Sequence, residues 1–417
     1  MLKRAWDKLV KGVKYVWSFR MQKGQLRHFD WPLFILVAGI SLFGIVCIFS
    51  ATTTSVTEEP ATIMDMLSTQ PITYARLQFL WLLAGIVAMS AMAYFSYEFY
   101  GRIYHVIYVF NILLLLSVLV IAEAGRGNMT AFFTWGSSSE RSFQPSEFGK
   151  IMIIISLATP FSQREKEIKT FRELLPMVAY VSIPLLLIVA QPDFGTALVY
   201  VAVFSIMVFV SGMSYKLVLG IIAAMVLVAV PAWYLINASG GGFRLNRILM
   251  WLNPEDYPDE ARQVINAQIA VGSGGIWGKG LVSVGSFASL GYISDDHTDF
   301  IFAVVCESFG MAGGAALILA YVLMLIRMAY LAYKVTDPLG SYLIVGVMAM
   351  FTFHVIENIC MVLGLLPVTG IPLPFMSYGG SNMITNMLGI GLVENVVIRD
   401  RSARERIRTE PIRVTSI

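Results

Sequence analysis

Charge is what this chain has least of. Of its 417 residues only 14% are Asp, Glu, Lys or Arg, and 57% are apolar; soluble proteins usually carry roughly 25% charged residues. That scarcity excludes the two or three soluble domains that the length alone would allow. Cysteine is nearly absent. Cys47, Cys306 and Cys360 all fall within apolar segments, so neither a disulfide framework nor a metal-ligand spacing is expected, and the three read as small buried apolar residues. The first 30 residues are strongly basic and lack a compact apolar core before a small-residue site, so no cleavable leader is expected. No internal repeat is visible, which counts against a transporter built from repeated halves.

What is present is a series of long apolar runs. They predict an all-α polytopic membrane protein of about ten transmembrane helices, near residues 32–51, 78–96, 104–123, 147–162, 174–190, 195–212, 216–236, 300–330, 341–363 and 381–398. The fourth and fifth are short for a bilayer core, and the eighth is long. Basic residues set the orientation. With the N-terminus inside, 22 of the 30 Lys and Arg fall on the inner side. The outer loops hold only Arg76, Arg126, Arg141, Arg244, Arg247, Arg262 and Lys279, and Lys150 lies inside the fourth helix. Both termini are therefore expected in the cytoplasm. The chain then divides into a basic N-terminus (1–30), helices one to seven (31–236), a large extracytoplasmic loop (237–298), helices eight to ten (299–398) and a basic tail (399–417).

Residues 2–17 place Leu2, Trp6, Leu9, Val13 and Trp17 at helical spacing with lysines largely off that stripe, the pattern of an amphipathic helix on the inner membrane surface or on a cytoplasmic partner. In the large loop, Phe243, Ile248, Leu249 and Leu252 suggest an amphipathic helix. Tyr257-Pro258-Asp259-Glu260 marks the start of another, which should end at Gly272-Ser273-Gly274-Gly275. The loop is expected to fold back onto the bilayer surface.

Ionisable residues in or beside apolar helices point to function by default. Four groups stand out. In Arg141–Lys150, Ser146 can cap the fourth helix, and Glu147 and Lys150 share a face; they are either a neutralised pair that pins the helix or a charged pair on a substrate cavity. In Gln191–Thr196, Asp193 either caps the next helix or faces the same cavity. In His297-Thr298-Asp299-Phe300, Asp299 either caps the eighth helix or acts on a lipid headgroup beside His297, Asp295 and Asp296, with Glu307 two turns further on. The uncharged segment Gly364–Ser381, which includes Ser377, is rich in Pro and Gly. Such irregular backbone near a membrane lines a cavity or is buried in protein, and glycine amides can cradle a phosphate.

These four motifs, in this order among the helices, resemble the SEDS family of shape, elongation, division and sporulation proteins. Asn266–Gly275 and Arg247-Ile248 followed by Asn253-Pro254 match it as well, so the resemblance covers about residues 30–400. Phe353-His354-Val355-Ile356-Glu357-Asn358 looks more like the elongation branch, RodA, than the division branch, FtsW. One departure stands out. Where the family has a Gly-Ala-x-Arg-Trp-like stretch, this chain reads Met129–Trp135 without the Arg, and Arg126 or Arg141 would have to serve.

The resemblance implies a peptidoglycan glycosyltransferase that polymerises lipid II into β-1,4 glycan, with inversion, at the outer face of the bacterial cytoplasmic membrane. Its catalytic acid lands on Asp299, either as general base or as holder of a divalent cation, Mg or Mn. Glu147, Lys150, Asp193, His297, Glu307 and Ser377 would line the substrate cavity, and Arg244, Arg247 and Lys279 are candidates for the pyrophosphate. The implied partners are lipid II, a class B penicillin-binding protein and other membrane proteins of the elongation complex. No Ser-x-x-Lys motif is present for transpeptidation in this chain itself. No organic cofactor or nucleic acid is expected. A lipid-linked precursor flippase and a non-catalytic scaffold for the transpeptidase are the rival readings; the clustering of acids at the outer surface favours chemistry there.

Overall fold

The structure, a computed structural model, describes residues 24–53, 72–123, 133–134, 142–164, 170–191, 193–213, 243–283, 285–293 and 295–409. The expected helices at 2–17 and 216–236, together with Arg126 and Arg141, lie outside the described residues. The elements are α1 (Trp31–Thr52), α2 (Thr73–Tyr94), α3 (Tyr97–Arg102), α4 (Tyr104–Glu123), α5 (Pro145–Ser162), α6 (Phe171–Ala190), α7 (Phe194–Val210), α8 (Phe243–Leu252), α9 (Pro258–Ser273), α10 (Ile301–Lys334), α11 (Pro338–Val362) and α12 (Gly380–Thr409). The all-helical expectation misses one small feature: Phe133–Thr134 pairs antiparallel with Ser142–Phe143 just before α5.

Among the described residues, five helices, α1, α2, α6, α10 and α11, contain stretches long and apolar enough to cross a membrane, and α4 and α7 add the shorter apolar stretches Tyr104–Val120 and Phe194–Val210. Exposed apolar side chains such as Ile35, Val87, Val106 and Leu186 cover the outside of the bundle, as a lipid-facing surface requires. Helix α5 is central. Nearly every side chain from Pro145 to Phe161 is buried, against α4, α7 and α11. Its partners leave no lipid-facing stripe, so its short length needs no compensating tilt. Helix α12 runs along α2 and continues to Thr409, about eleven residues past the apolar run. There the sequence turns basic, and the added turns carry side chains that tie the inner end together.

Helix starts follow their caps. Asp30 accepts from the Leu33 amide at 3.2 Å and opens α1 ahead of Pro32. Asp337 does the same for α11 through Gly340 at 3.2 Å, ahead of Pro338. Ser146 does not cap α5 as expected. The helix begins two residues earlier than expected, at Pro145, with Gln144 at the cap position, and Ser146 is left inside the first turn.

At the inner end, α1, α10 and α12 meet on one carboxylate. Asp30 is fully buried. It takes bonds from Arg327 Nε at 3.0 Å and Nη2 at 2.7 Å, and a short one from Arg401 Nη2. Burial pushes its carboxyl up, but the two guanidiniums outweigh that and hold it below the ordinary carboxylate range.

At the outer end, α10 is broken at Gly310, whose φ of 69° and ψ of −169° are not helical. A break in a helix frees backbone groups that must be paired again. The segment after α9 does this: Lys279 and Gly280 amides donate to the Glu307 and Ser308 carbonyls at 2.9 and 3.0 Å, and the Met311 and Ala312 amides donate to Gly275 and Ile276 at 2.9 and 3.1 Å. A Cβ on Gly310 would lie 2.3 Å from the Ile276 carbonyl oxygen, so only glycine fits this crossing. The large loop is thus fastened to the start of α10, with helices α8 and α9 where the sequence predicted them.

Candidate functional site

The break in α10 leaves its first nine residues buried almost throughout, with Asp299 just ahead of them. Around Asp299 opens a cavity of about 480 Å³. Its walls come from α2, the starts of α5, α7 and α12, the middle of α11, the turn before α10, and the Pro- and Gly-rich segment before α12. Tyr74, Trp81, Gln144, Glu147, Asp193, Thr196, His297, Asp299, His354, Gly370, Tyr378 and Asn382 are among the lining residues. Residues more than 220 apart in sequence meet here, which no local pattern could show.

Asp299 does not cap α10, because the cap position is Phe300 and no side chain bonds there. Its backbone carbonyl is held by Asn358 Nδ2 at 2.8 Å, and the same amide holds the Ile371 carbonyl at 2.7 Å. Its carboxylate is left facing the cavity. Gly370 makes room for it: at φ 73°, a Cβ there would lie 3.3 Å from Asp299 Oδ2. Burial and the nearby Asp295 carboxylate push the Asp299 carboxyl up to about 6, with Arg247 and His297 pulling the other way. Asp296 is raised by burial, moderated by the His297 ring 3.1 Å from it.

Asp193 is fully engaged. Its Oδ1 caps α7 through the Thr196 amide at 3.1 Å, and its Oδ2 accepts from Ser146 Oγ at 2.8 Å and Gln144 Nε2 at 3.1 Å. The capping reading of Asp193 therefore holds, and the carboxylate also clasps the start of α5. Lys150 Nζ donates to Glu147 Oε1 at 2.7 Å, so the expected pair forms. The same ammonium donates to His354 Nε2 at 3.1 Å, and His354 Nδ1 donates to the Pro372 carbonyl at 3.1 Å. A chain of polar contacts thus runs from Glu147 on α5 through α11 to the Pro-rich segment. Glu147 and His354 line the cavity, and Lys150 stands behind them.

The remaining candidates separate. Glu307 is buried away from the cavity lining, where it accepts from Lys279 Nζ at 2.8 Å and from the Phe287 amide at 2.9 Å. Those bonds anchor the large loop, so Lys279 and Glu307 stand together as one structural pair. Ser377 is buried and accepts from the Leu373 amide at 2.7 Å, shaping the turn without lining the cavity. Arg247 lies near Asp299 and donates to the Val368 carbonyl at 3.1 Å. Arg244 lies on α8. Among the described residues, no group of three or more His, Cys, Asp or Glu gathers that could hold a metal ion. Asp299 offers a single carboxylate, short of a chain-built cation site.

Sequence reasoning named His297 but missed the Tyr74 and Tyr378 rings that stand with it at the cavity, the three centroids 5.0 to 5.7 Å apart. It also missed His354 as a site residue, although a histidine within an apolar helix was signal enough.

Comparison with known proteins accords with this geometry. The sequence model of the family described as "Cell cycle protein", comprising FtsW, RodA and SpoVE, matches residues 30–402. Stage V sporulation protein E of Bacillus subtilis is 33% identical over 332 residues, 78% of this chain and 86% of that protein. Peptidoglycan glycosyltransferase MrdB of Escherichia coli is 32% identical over 314 residues, 75% of this chain and 82% of that protein. Among solved structures, a chain of a peptidoglycan synthase complex, described as coordinating polymerization and crosslinking, superposes with a TM-score of 0.70 at 27% identity. That match covers 89% of this chain and 98% of that one.

Proposed function

The chain belongs to the FtsW, RodA and SpoVE family, and from that membership and the outer cavity we propose that it is a peptidoglycan glycosyltransferase polymerising lipid II at the outer face of the cytoplasmic membrane. The observation that carries the reading is Asp299, a carboxylate that caps nothing, faces the cavity and is raised to about 6. An ordinary aspartate near 3.9 is a poor base at neutral pH, and a raised one is a better match to the task.

In the proposed step, Asp299 takes the proton of the acceptor's sugar hydroxyl as that oxygen forms its bond to the anomeric carbon of the donor. The bond from that carbon to the diphosphate breaks on the opposite face, and the diphosphate leaves with the electron pair, so the configuration inverts. Arg247 and Arg244 are the proposed contacts for the charge on the leaving group. Lys279 is assigned to the loop with Glu307. Glu147, backed by Lys150 and His354, forms the floor on which the sugars rest. The proton transfer assigned to Asp299 does not depend on a bound cation.

The relatives at 33% and 32% identity include a sporulation protein and MrdB; an elongation role is the proposal, resting on Phe353–Asn358. A class B penicillin-binding protein is the proposed partner, in keeping with the synthase complex that this chain resembles. The test is to purify the chain with its cognate transpeptidase, add lipid II, and resolve the products on a gel. Glycan polymer is expected. Transfer of intact lipid II across vesicles without polymer would replace this reading with a flippase.

A further inference from the structure

Glu357 is an acid that the proposed reaction leaves unused. It lies within α11 at 2% exposure, while its neighbour Ile356 is 54% exposed on the lipid side. It does not reach the cavity's described lining. An apolar residue would fill the same space at far lower cost, so a carboxyl buried in a membrane helix calls for a task.

Its neighbours on the helix show what the task is. His354, Glu357 and Asn358 are all buried, and their spacing puts them on one face of α11. Each holds part of the Pro- and Gly-rich segment. His354 Nδ1 donates to the Pro372 carbonyl at 3.1 Å, Asn358 Nδ2 donates to the Ile371 carbonyl at 2.7 Å, and Glu357 accepts from Thr369 Oγ1. On the other side, α7 comes so close at Gly195 that a Cβ there would lie 3.1 Å from the Thr369 carbonyl oxygen. Thr369 to Pro372 is therefore a strap gripped between two helices.

Gly370, between these holds, is the strap residue that stands against Asp299 Oδ2. Asn358 Nδ2 also holds the Asp299 carbonyl at 2.8 Å. One face of α11 thus fixes both the backbone of the acid and the strap that its carboxylate faces. Of the three ties to the strap, the one at Glu357 alone uses a strap side chain, so it can be cut from either side.

We propose that Glu357 is a positioning residue of the enzyme: through its bond to Thr369 it holds the strap so that Gly370 stands against the Asp299 carboxylate in the geometry that proton transfer needs. This rests on the glycosyltransferase reading for the reaction, but the hold on the strap can be tested without it.

Thr369→Val and Glu357→Leu cut the bond from its two sides. Thr369→Ser and Glu357→Gln keep a donor and an acceptor there. Thr369 is half-buried, so valine, of nearly the same shape, fits. The unfolding temperature is recorded for all four. In the first measurement, hydrogen–deuterium exchange of the full chain in detergent follows the amides of residues 368–373 by mass spectrometry. Exchange should quicken about tenfold in the two cut variants and stay within about threefold of the wild type in the conservative pair. Unchanged exchange in folded cut variants overturns the hold.

In the second, polymerisation of lipid II with the cognate transpeptidase is followed against pH. In the cut variants kcat should fall about tenfold with KM unchanged, since the base is displaced and binding is not. The double variant should lose no more than either single one, because both cut the same bond. The charged and titratable groups facing Asp299 are Asp295, His297, Arg247 and Glu357, with Glu147, Asp193 and His354 across the cavity. Thr369→Val alters none of them, so movement of the acid limb near 6 reports the strap. A loosened strap admits water to Asp299, and the limb should move down by about half a unit in Thr369→Val and stay in place in Thr369→Ser. Additive losses, a change in KM alone, or a fixed limb in folded Thr369→Val overturns the positioning role. No polymer from the wild type, with exchange quickened in the cut variants, would sink the enzyme reading and the positioning role with it, and leave the hold on the strap standing.

Discussion

The two ends of the helix bundle treat charge in opposite ways. At the inner end, the buried carboxylate of Asp30 takes bonds from Arg327, Arg401 and the Leu33 amide, and its carboxyl is held below the ordinary range. At the outer end, Asp299 is half-buried, yet its carboxylate has no guanidinium on it and is pushed up to about 6. The first arrangement stabilises the fold by tying three helices together. The second costs the fold something and leaves a reactive group at a cavity. Where charge is matched, a membrane protein holds itself together; where it is left unmatched, the site is ready for chemistry.

The largest effect should come from breaking the inner end. Asp30→Ala strands two guanidiniums that converge on one buried point, and loss of about 3 kcal/mol is expected, read as a lower midpoint in thermal unfolding in detergent. Activity measured well below that midpoint should be kept.

Acid should then pull the two ends in opposite directions. Asp30, lowered in the folded state, contributes stability above its unfolded value near 3.8 that is lost as pH falls through its folded value. Asp299, raised to about 6, binds a proton more readily when folded, so between about 4 and 6 its share of stability falls as pH rises, by up to about 3 kcal/mol in all. Activity must follow the opposite course, since the base works only when ionised. Below pH 6 the polymerisation rate should drop about tenfold per unit, and a rate indifferent to pH between 4 and 7 would remove Asp299 from the proton transfer.

A smaller effect is expected at Gly370. Its φ of 73° and the 3.3 Å approach of a new Cβ to Asp299 Oδ2 make Gly370→Ala cost about 1 kcal/mol and lower the rate severalfold by crowding the base. An equal loss of rate in Gly364→Ala, at φ 74° but against Gln268 instead, would show that backbone strain and not the base is responsible.

Much of this was legible before any coordinates. The Glu147 and Lys150 pair follows from a spacing of three on a helix, the start of α9 from Pro258 and its acids, and the helices themselves from apolar run length. What was not legible depends on contacts between distant segments. Asp299 reads equally as a helix cap or a base until the turn before α10 is seen, and Asp193 reads as either a cap or a cavity residue until the structure shows it in both places, with Gln144 and Ser146 on its second oxygen. Glu307 sits two turns beyond Asp299, which suggested a shared face; the turn of α10 and the loop that pairs with its break bring Lys279 to it instead. The break at Gly310 could not be read from a helix-compatible sequence, because its stability comes from backbone groups some 35 residues earlier.

The central claim is that the unmatched acid at the outer end performs the chemistry and does not hold the fold. The most direct test is Asp299→Asn, with polymerisation of lipid II and the unfolding midpoint measured on the same preparation in the presence of the cognate transpeptidase. The account predicts polymer reduced about 1,000-fold with an unfolding midpoint equal to or above that of the wild type at pH 7. Polymer at the wild-type rate from the folded variant would contradict it and move the base elsewhere in the cavity.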